Sequence, residues 1–455
     1  MTDEPDRRRS ATRMAPALEP FQADAALPPK VDVVVIGGGI VGVSTAFFLA
    51  RRGVSTLLCE KGRIAAEQSS RNWGWVRKMG RDPRELPLML ESERLWHEMD
   101  RLVEADTGFR QSGIVYLCQT EADLARREAW RKHAEPFQLD TRIVKGAELD
   151  SILPGSAAPW AGALYTKSDG RAEPQKAAPA IARAARRLGA VVLIGCAVRG
   201  IETAAGRVSG VVTEKGRVAC GTVVLAGGAW SGLFCRSLGI RLPQLKVLAS
   251  VMRLEPFEGG PEAAAWGSGF AFRKRQDGGY TVANGSANVA DIVPDSFRYG
   301  LDFLPVLRIE WKDLRLRFGR RFFEEARLAK PWALDHTSPF ERVRTLDPEP
   351  ADRFLDAAQS DLALAYPIFA GKRPTDRWAG LIDATPDALP VISPVETLPG
   401  FFVATGFSGH GFGIGPGAGR LMADLATGSP PAVDPTPFRH ARFTDGSRPT
   451  PTTGL

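Results

Sequence analysis

Cysteine and histidine are scarce in this chain, five of each among 455 residues. The cysteines (Cys59, Cys118, Cys196, Cys220 and Cys235) are odd in number and show no CxxC spacing, which argues against a disulfide framework or a zinc site and leaves reduced thiols. The histidines (His97, His133, His336, His410 and His440) have no HExxH-like spacing, so no metal is expected. Long apolar runs are also missing: none reaches the roughly 18 residues that a membrane-spanning helix needs. Residues 1–29 mix acids, arginines and prolines without the apolar stretch of a secretory signal. The expected address is therefore cytoplasmic, with residues 1–29 and 428–455 as flexible extensions.

Neither sign of charge dominates. Lys and Arg total 59 against 52 Asp and Glu, a net +7 that is too mild for a nucleic-acid partner to be expected. The most basic stretch, Arg308 to Arg327, places Leu307, Trp311, Leu314, Phe318 and Phe322 at helical spacing and dilutes its charge with Glu310, Asp313, Glu324 and Glu325. It reads as one solvated amphipathic helix, with a peripheral membrane or partner contact as the alternative.

What the chain has in quantity is glycine, 47 residues, crowded into Ile36 to Gly42, Ala226 to Gly232 and Gly400 to Gly419. The apolar run VDVVVI (Val31 to Ile36) reads as a parallel strand buried on both faces. Ile40 to Arg52 follows as a helix and VSTLLCE (Val54 to Glu60) as a second strand. Gly37, Gly39 and Gly42 thus form GxGxxG between a strand and a helix: a tight turn, close approach to a pyrophosphate, and close helix packing. The helix start at Ile40 and Val41 offers free N–H groups to that pyrophosphate. Glu60, 18 residues past Gly42, ends the second strand, where a carboxylate accepts ribose hydroxyls and repels a 2′-phosphate.

The motifs IGGGIVG with Glu60, SSRNWG (Ser69 to Gly74), VVLAGGAWS (Val223 to Ser231), WAGLIDATPDALPVI (Trp378 to Ile392) and GFSGHGFGIGP (Gly406 to Pro416) resemble, in order and spacing, the D-amino-acid oxidase superfamily of FAD-dependent amine oxidoreductases. The resemblance runs from about Val31 to Gly428. It implies an α/β fold: a discontinuous FAD-binding Rossmann-like domain (30–83, 165–243 and 375–427) and a substrate or cap domain (84–164 and 244–374) on a mixed or antiparallel sheet. It also implies FAD contacts from Gly37, Gly38, Gly39, Ile40, Val41, Gly42, Glu60, Lys61, Ser69, Ser70, Arg71, Asn72, Trp73 and Gly74. Further contacts are implied from Val198, Ala226, Gly227, Trp230, Gly380, Gly409, His410, Gly411, Phe412 and Gly413. The loop at Gly406 to Gly413 would border the flavin's pyrimidine edge, where a helix N-terminus stabilises the charge left by hydride transfer.

Two departures from the family pattern matter. Relatives that attach FAD covalently do so through a cysteine matching Gly380 or a histidine matching Arg71, so non-covalent FAD is expected. Several amino-acid oxidising relatives carry an arginine for the substrate carboxylate where this chain has Ile382. The replacement cation is sought among Arg77, Arg81, Arg273 and Lys274. Arg77 and His410 are the catalytic candidates, and Trp73 and Trp75 either line the pocket or pack in the core. The reaction implied is oxidation of a C–N bond in an amino acid or secondary amine, giving an imine that hydrolyses. Electrons would pass to oxygen, a quinone or a partner. A tRNA-modifying flavoenzyme and a non-enzymatic flavin-binding subunit are the alternatives.

Overall fold

The computed structural model describes residues 12–13, 15–286, 288–310, 314–328, 331–447 and 449–452. Its nucleotide half is built on six short strands: β1 (Val33–Ile36), β2 (Thr56–Cys59), β3 (Val191–Leu193), β4 (Thr222–Leu225), β5 (Val391–Pro394) and β6 (Phe401–Thr405). They lie in the order β3-β2-β1-β4-β6-β5, all parallel except the β5/β6 pair. The strands are apolar on both faces because both are covered, one by helices and the other by a second apolar layer that includes Val211, Phe234 and Phe340. The strand order reverses at β1, with β2 and β3 on one side and β4 on the other, so a crevice opens at the carboxyl ends of these strands.

Four helices pack together over one face of this sheet: α1 (Ile40–Ala50), α2 (Leu86–Val103), α3 (Pro174–Arg187) and α4 (Gly411–Thr427). The glycines of α4 are a packing device. A Cβ on Gly415 would lie 2.7 Å from Ile40 of α1, one on Gly419 would lie 2.4 Å from Ser44, and one on Gly417 would lie 2.8 Å from the Leu88 carbonyl of α2. The helix is thus wedged between α1 and α2 at distances only glycine permits. Gly419→Val should cost about 3 kcal/mol in a denaturant melt, whereas Gly221→Ala, where a Cβ meets nothing within 4 Å, should stay within roughly 0.5 kcal/mol.

The second half is a large mixed sheet. Pro374–Ala384 pairs antiparallel with Leu245–Leu254, which continues through Tyr280–Ala283, Ala271–Lys274 and Ala264–Trp266 to Ile114–Cys118, Gly162–Thr166 and Thr141–Val144. The borders drawn at 165 and 375 therefore fall inside two strands of this sheet, Gly162–Thr166 and Pro374–Ala384.

Three expectations need correction. The stretch Arg308 to Arg327 is not one helix: a helix Gly300–Glu310 is followed by a strand Leu314–Arg317, paired in parallel with Asn288–Asp291, and by a helix Arg320–Leu328. Trp311 and Asp313 lie outside the described residues. Arg317 and Arg321 both reach Asp291, which fixes that strand on the sheet edge. The described part of residues 1–29 is a packed strap: Leu18 and Phe21 join the helical core, and Asp24 donates its N–H to the Val192 carbonyl of β3 and accepts the Val192 N–H on its carboxylate. The described part of the tail past Gly428 is likewise anchored, through buried Phe438 and through Arg442, which donates to both oxygens of Asp387 at 2.9 and 3.1 Å. Asp387 belongs to the TPD turn, whose Thr385 hydroxyl donates to the Leu389 carbonyl at 2.7 Å.

Candidate active site

One cavity of about 740 Å³ runs from the carboxyl ends of β1 and β2 to a mouth between the two halves. Of the sequence-predicted residues it brings together Gly37, Gly38, Gly39, Ile40, Val41, Glu60, Lys61, Ser69, Arg71, Asn72, Trp73 and Arg77. It adds Val198, Ala226, Gly227, Trp230 and Gly380, and closes with Gly409 through Gly413, His410 included. Gly42, Ser70 and Gly74 do not line it. Gly42 instead lets α1 touch the turn, where a Cβ would sit 2.0 Å from the Gly37 carbonyl; a Cβ on Gly74 would sit 2.5 Å from Arg273. Ser70 turns its hydroxyl to the Glu67 carbonyl and its own carbonyl to Gln175.

At the nucleotide end, Glu60 accepts from the N–H groups of Gly38 at 2.7 Å and Gly62 at 2.6 Å. Burial pushes its proton affinity up, against the pull of Lys61 and of those N–H groups. Ser69 accepts the Ile40 N–H at 2.8 Å, so the α1 N-terminus and the SSRNWG loop form one cradle. Lys61 is held by Glu67 and by the carbonyls of Val343 and Arg344, which makes it a brace for the loop at 343–344. Cys59 and Cys196, 3.9 Å apart at sulfur, border this end, a juxtaposition that nothing in their spacing signals.

The other end is formed by the Ser408 to Gly413 turn and the N-terminus of α4. Asp383 ties this turn to the second glycine cluster: its carboxylate accepts from the Gly406 N–H (2.7 Å), Thr405 (3.0 Å) and Gln244 (3.3 Å), and the last two also reach the Gly228 carbonyl. Burial raises Asp383 to about 6 despite those donors. Arg71 is fully buried under the loop, bonded to Asp347 and to the carbonyls of Ala66 and Ala379, with one guanidinium nitrogen left without a partner. A Cβ on Gly380 would lie 3.3 Å from Arg71. The two positions at which relatives attach flavin thus face each other, and neither is a nucleophile.

Three of the four candidate carboxylate-binding cations are already paired with acids. Arg273 is clamped by Glu173 at 2.8 and 3.0 Å, Lys274 by Glu262, and Arg81 by Glu85. Arg77 has no carboxylate partner among the described residues; it donates to the Met79 carbonyl and lies 5.8 Å from the Tyr116 ring. Sequence reasoning missed Arg127, which lies on the Glu121–Ala134 helix between the rings of Tyr116 (4.9 Å) and Trp266 (4.8 Å). Trp73, Trp75 and Trp130 complete an aromatic wall around these two cations. Trp73 and Trp75 both line the pocket and pack, edge to face at 5.1 Å.

The model of the family described as FAD dependent oxidoreductase (DAO) matches residues 32–425. The chain belongs to that family. As an FAD-dependent oxidoreductase acting on amines or amino acids, it has relatives along nearly its whole length. Glycine oxidase of Pseudomonas aeruginosa is 25% identical over 90% of this chain and 98% of its own. Among solved structures, the L-amino acid deaminase of Proteus myxofaciens in complex with anthranilate is 38% identical, covers 94% of this chain and 97% of its own, and superposes with a TM-score of 0.90. That of Proteus vulgaris is 34% identical over 93% of this chain and all of its own, with a TM-score of 0.88. The cavity fits the flavoenzyme's cofactor: a helix N-terminus for a pyrophosphate, Glu60 for a ribose, and a second helix N-terminus with an unpartnered buried guanidinium nitrogen at the far end.

Proposed function

We propose that the protein oxidises the α C–N bond of L-amino acids with large apolar or aromatic side chains, yielding a 2-oxo acid and ammonia. The observation that carries this is the pair Arg77 and Arg127, two cations without carboxylate partners among the described residues, set within a wall of aromatic rings beside the flavin end of the cavity. A carboxylate on one guanidinium and a side chain against the rings would fix the Cα hydrogen toward the cofactor. The likeness to deaminases of L-amino acids, one of them bound to an aromatic carboxylate, supports the same substrate class.

FAD, when bound, would supply the acceptor for the hydride on Cα. Gly37, Gly38, Gly39, Ser69, Asn72 and Glu60 would hold its nucleotide part, and Gly380 and Gly409 to Gly413 its ring system. The protein's own contribution is to orient the amino acid, to exclude water with Trp73, Trp75, Trp130 and Trp266, and to offer the positive end of α4 to developing negative charge. The imine hydrolyses after the transfer.

Anaerobic mixing of the holoenzyme with a panel of L- and D-amino acids and simple amines tests this reading. L-phenylalanine and L-leucine should bleach the flavin, their D-enantiomers should not, and 2-oxo acid and ammonia should appear in equal amounts. Bleaching by D-amino acids, or equally fast bleaching by amines without a carboxylate, would exclude it. The FAD is proposed to be non-covalent, so acid precipitation should leave the flavin in the supernatant and the pellet colourless.

A membrane quinone, rather than oxygen, is proposed as the electron acceptor. Phe297, Leu301 and Phe318 are 75%, 85% and 60% exposed on the described parts of 294–328, interspersed with Arg308, Arg317, Arg320 and Arg327, and Ile309 borders the cavity. Among the described residues no helix is long and apolar enough to cross a membrane. The reduced enzyme should be reoxidised at least tenfold faster by a soluble quinone than by air-saturated buffer and should sediment with anionic vesicles; rapid reoxidation in air would favour an oxidase.

A further inference from the structure

Glu85 is a fully buried carboxylate that none of the foregoing chemistry uses. It lies on the short turn ahead of α2, and its Oε2 is 3.1 Å from Nδ1 of His410, the residue that opens α4 at the flavin end of the cavity. Arg81 binds the same oxygen at 3.3 Å, donates to the Arg77 carbonyl at 2.7 Å and is pinned through its own carbonyl by Trp130. A buried carboxylate held by one guanidinium is already neutralised, so its additional contact with an imidazole is a built arrangement. Among the described residues Glu85 is the imidazole's single hydrogen-bond partner, and His410 borders the cavity.

We propose that Glu85 is a positioning residue: it holds the proton of neutral His410 on Nδ1, so that Nε2 is presented to the cavity as the acceptor for the proton that the substrate ammonium must shed. This rests on the amino-acid reading above. Oxidation of a zwitterionic amino acid removes a hydride, two electrons with one hydrogen, from Cα and one proton from the ammonium. The hydride goes to FAD and the proton to Nε2, leaving an imidazolium paired with Glu85. The charged groups facing the imidazole are Glu85, Arg81 and Arg77, and Asp82 faces Glu85. Burial holds His410 below its ordinary value against the pull of Glu85, so it is an empty acceptor at neutral pH. Burial alone would raise Glu85, but His410 and Arg81 outweigh it and keep the carboxyl ionised.

The first test needs no turnover. In holoenzyme labelled with 15N-histidine, the His410 resonances, assigned by their loss in His410→Asn, should show a protonated Nδ1 and a bare Nε2 near pH 7. A proton on Nε2 instead would overturn the proposal, whether or not any amino acid reduces the flavin. The second test is the pH profile of anaerobic flavin reduction. The rate should rise with pH as Nε2 empties. Glu85→Gln, with full FAD content, should lower the plateau at least tenfold and move the limb to lower pH, because the imidazolium loses its counter-charge. Where Glu85→Gln fails to retain FAD, His410→Asn serves in its place and should lose the limb altogether. A profile within twofold of wild type for the variant tested would refute the role. Failure of every amino acid to bleach the flavin, with the tautomer as expected, would instead sink the substrate reading.

Discussion

Gly37→Ala should abolish FAD retention, leaving less than a tenth of the wild-type flavin-to-protein ratio after desalting. Gly37 has φ +111°, outside even the left-handed region that some residues tolerate, and a Cβ there would lie 2.3 Å from the Ala226 carbonyl oxygen and 2.9 Å from its carbon. Both contacts are to backbone at the end of β4, so neither side can yield by a rotamer change. The cost combines a forbidden backbone conformation of about 1–2 kcal/mol with a displacement of two strand ends, roughly 3 kcal/mol or more together. The displaced turn is also the one whose next N–H, on Gly38, binds Glu60. Gly53→Ala separates the two causes: its φ is +74° and a Cβ would meet nothing within 4 Å, so it should lose about 1 kcal/mol and keep its FAD. Equal FAD content in the two variants would show that contact between the first two glycine clusters does not shape the site.

That contact also shows where sequence reading succeeds and where it stops. The strand, glycine turn, helix and strand from Val31 to Glu60 are legible because periodicity, turn chemistry and the terminal carboxylate are all local. The third glycine cluster was legible only by half. Gly409, Gly411 and Gly413 line the cavity, but Gly415, Gly417 and Gly419 exist for α1 and α2, and nothing local distinguishes a glycine facing a ligand from one facing a helix. The basic stretch at 308–327 carries helical spacing, yet Leu314–Arg317 became a strand because the edge at Asn288–Asp291 offered open backbone and Asp291 offered its charge. Cations were the least legible of all. Arg273, two residues into a strand, and Arg77, three residues past Gly74, look alike in sequence. Their fates are decided by Glu173, about a hundred residues from Arg273, which clamps one and leaves the other open.

Arg77→Met should lower kcat/KM for L-phenylalanine by 30- to 1,000-fold while leaving FAD bound. The estimate follows from removing one partner of a desolvated, hydrogen-bonded charge pair, about 2–4 kcal/mol. Arg77 is half-buried, and its contact with the Met79 carbonyl uses one terminal nitrogen only, so a substrate carboxylate could take the remainder. Arg77→Lys should recover part of the loss, because an ammonium keeps the charge but not the two-pronged geometry. The discriminating substrate is phenethylamine, which has the ring and the amine but no carboxylate: wild type and Arg77→Met should reduce with it at rates within threefold of each other. Arg127→Met should act more weakly, about tenfold, since Arg127 is stacked between Tyr116 and Trp266 and its loss is felt first as a loosened wall. If Arg127→Met rather than Arg77→Met carries the carboxylate-specific loss, the anchor lies on the Glu121–Ala134 helix and the substrate binds with its carboxylate toward the mouth. If neither variant distinguishes phenylalanine from phenethylamine, the carboxylate is bound by neither cation, and the aromatic wall alone selects the substrate.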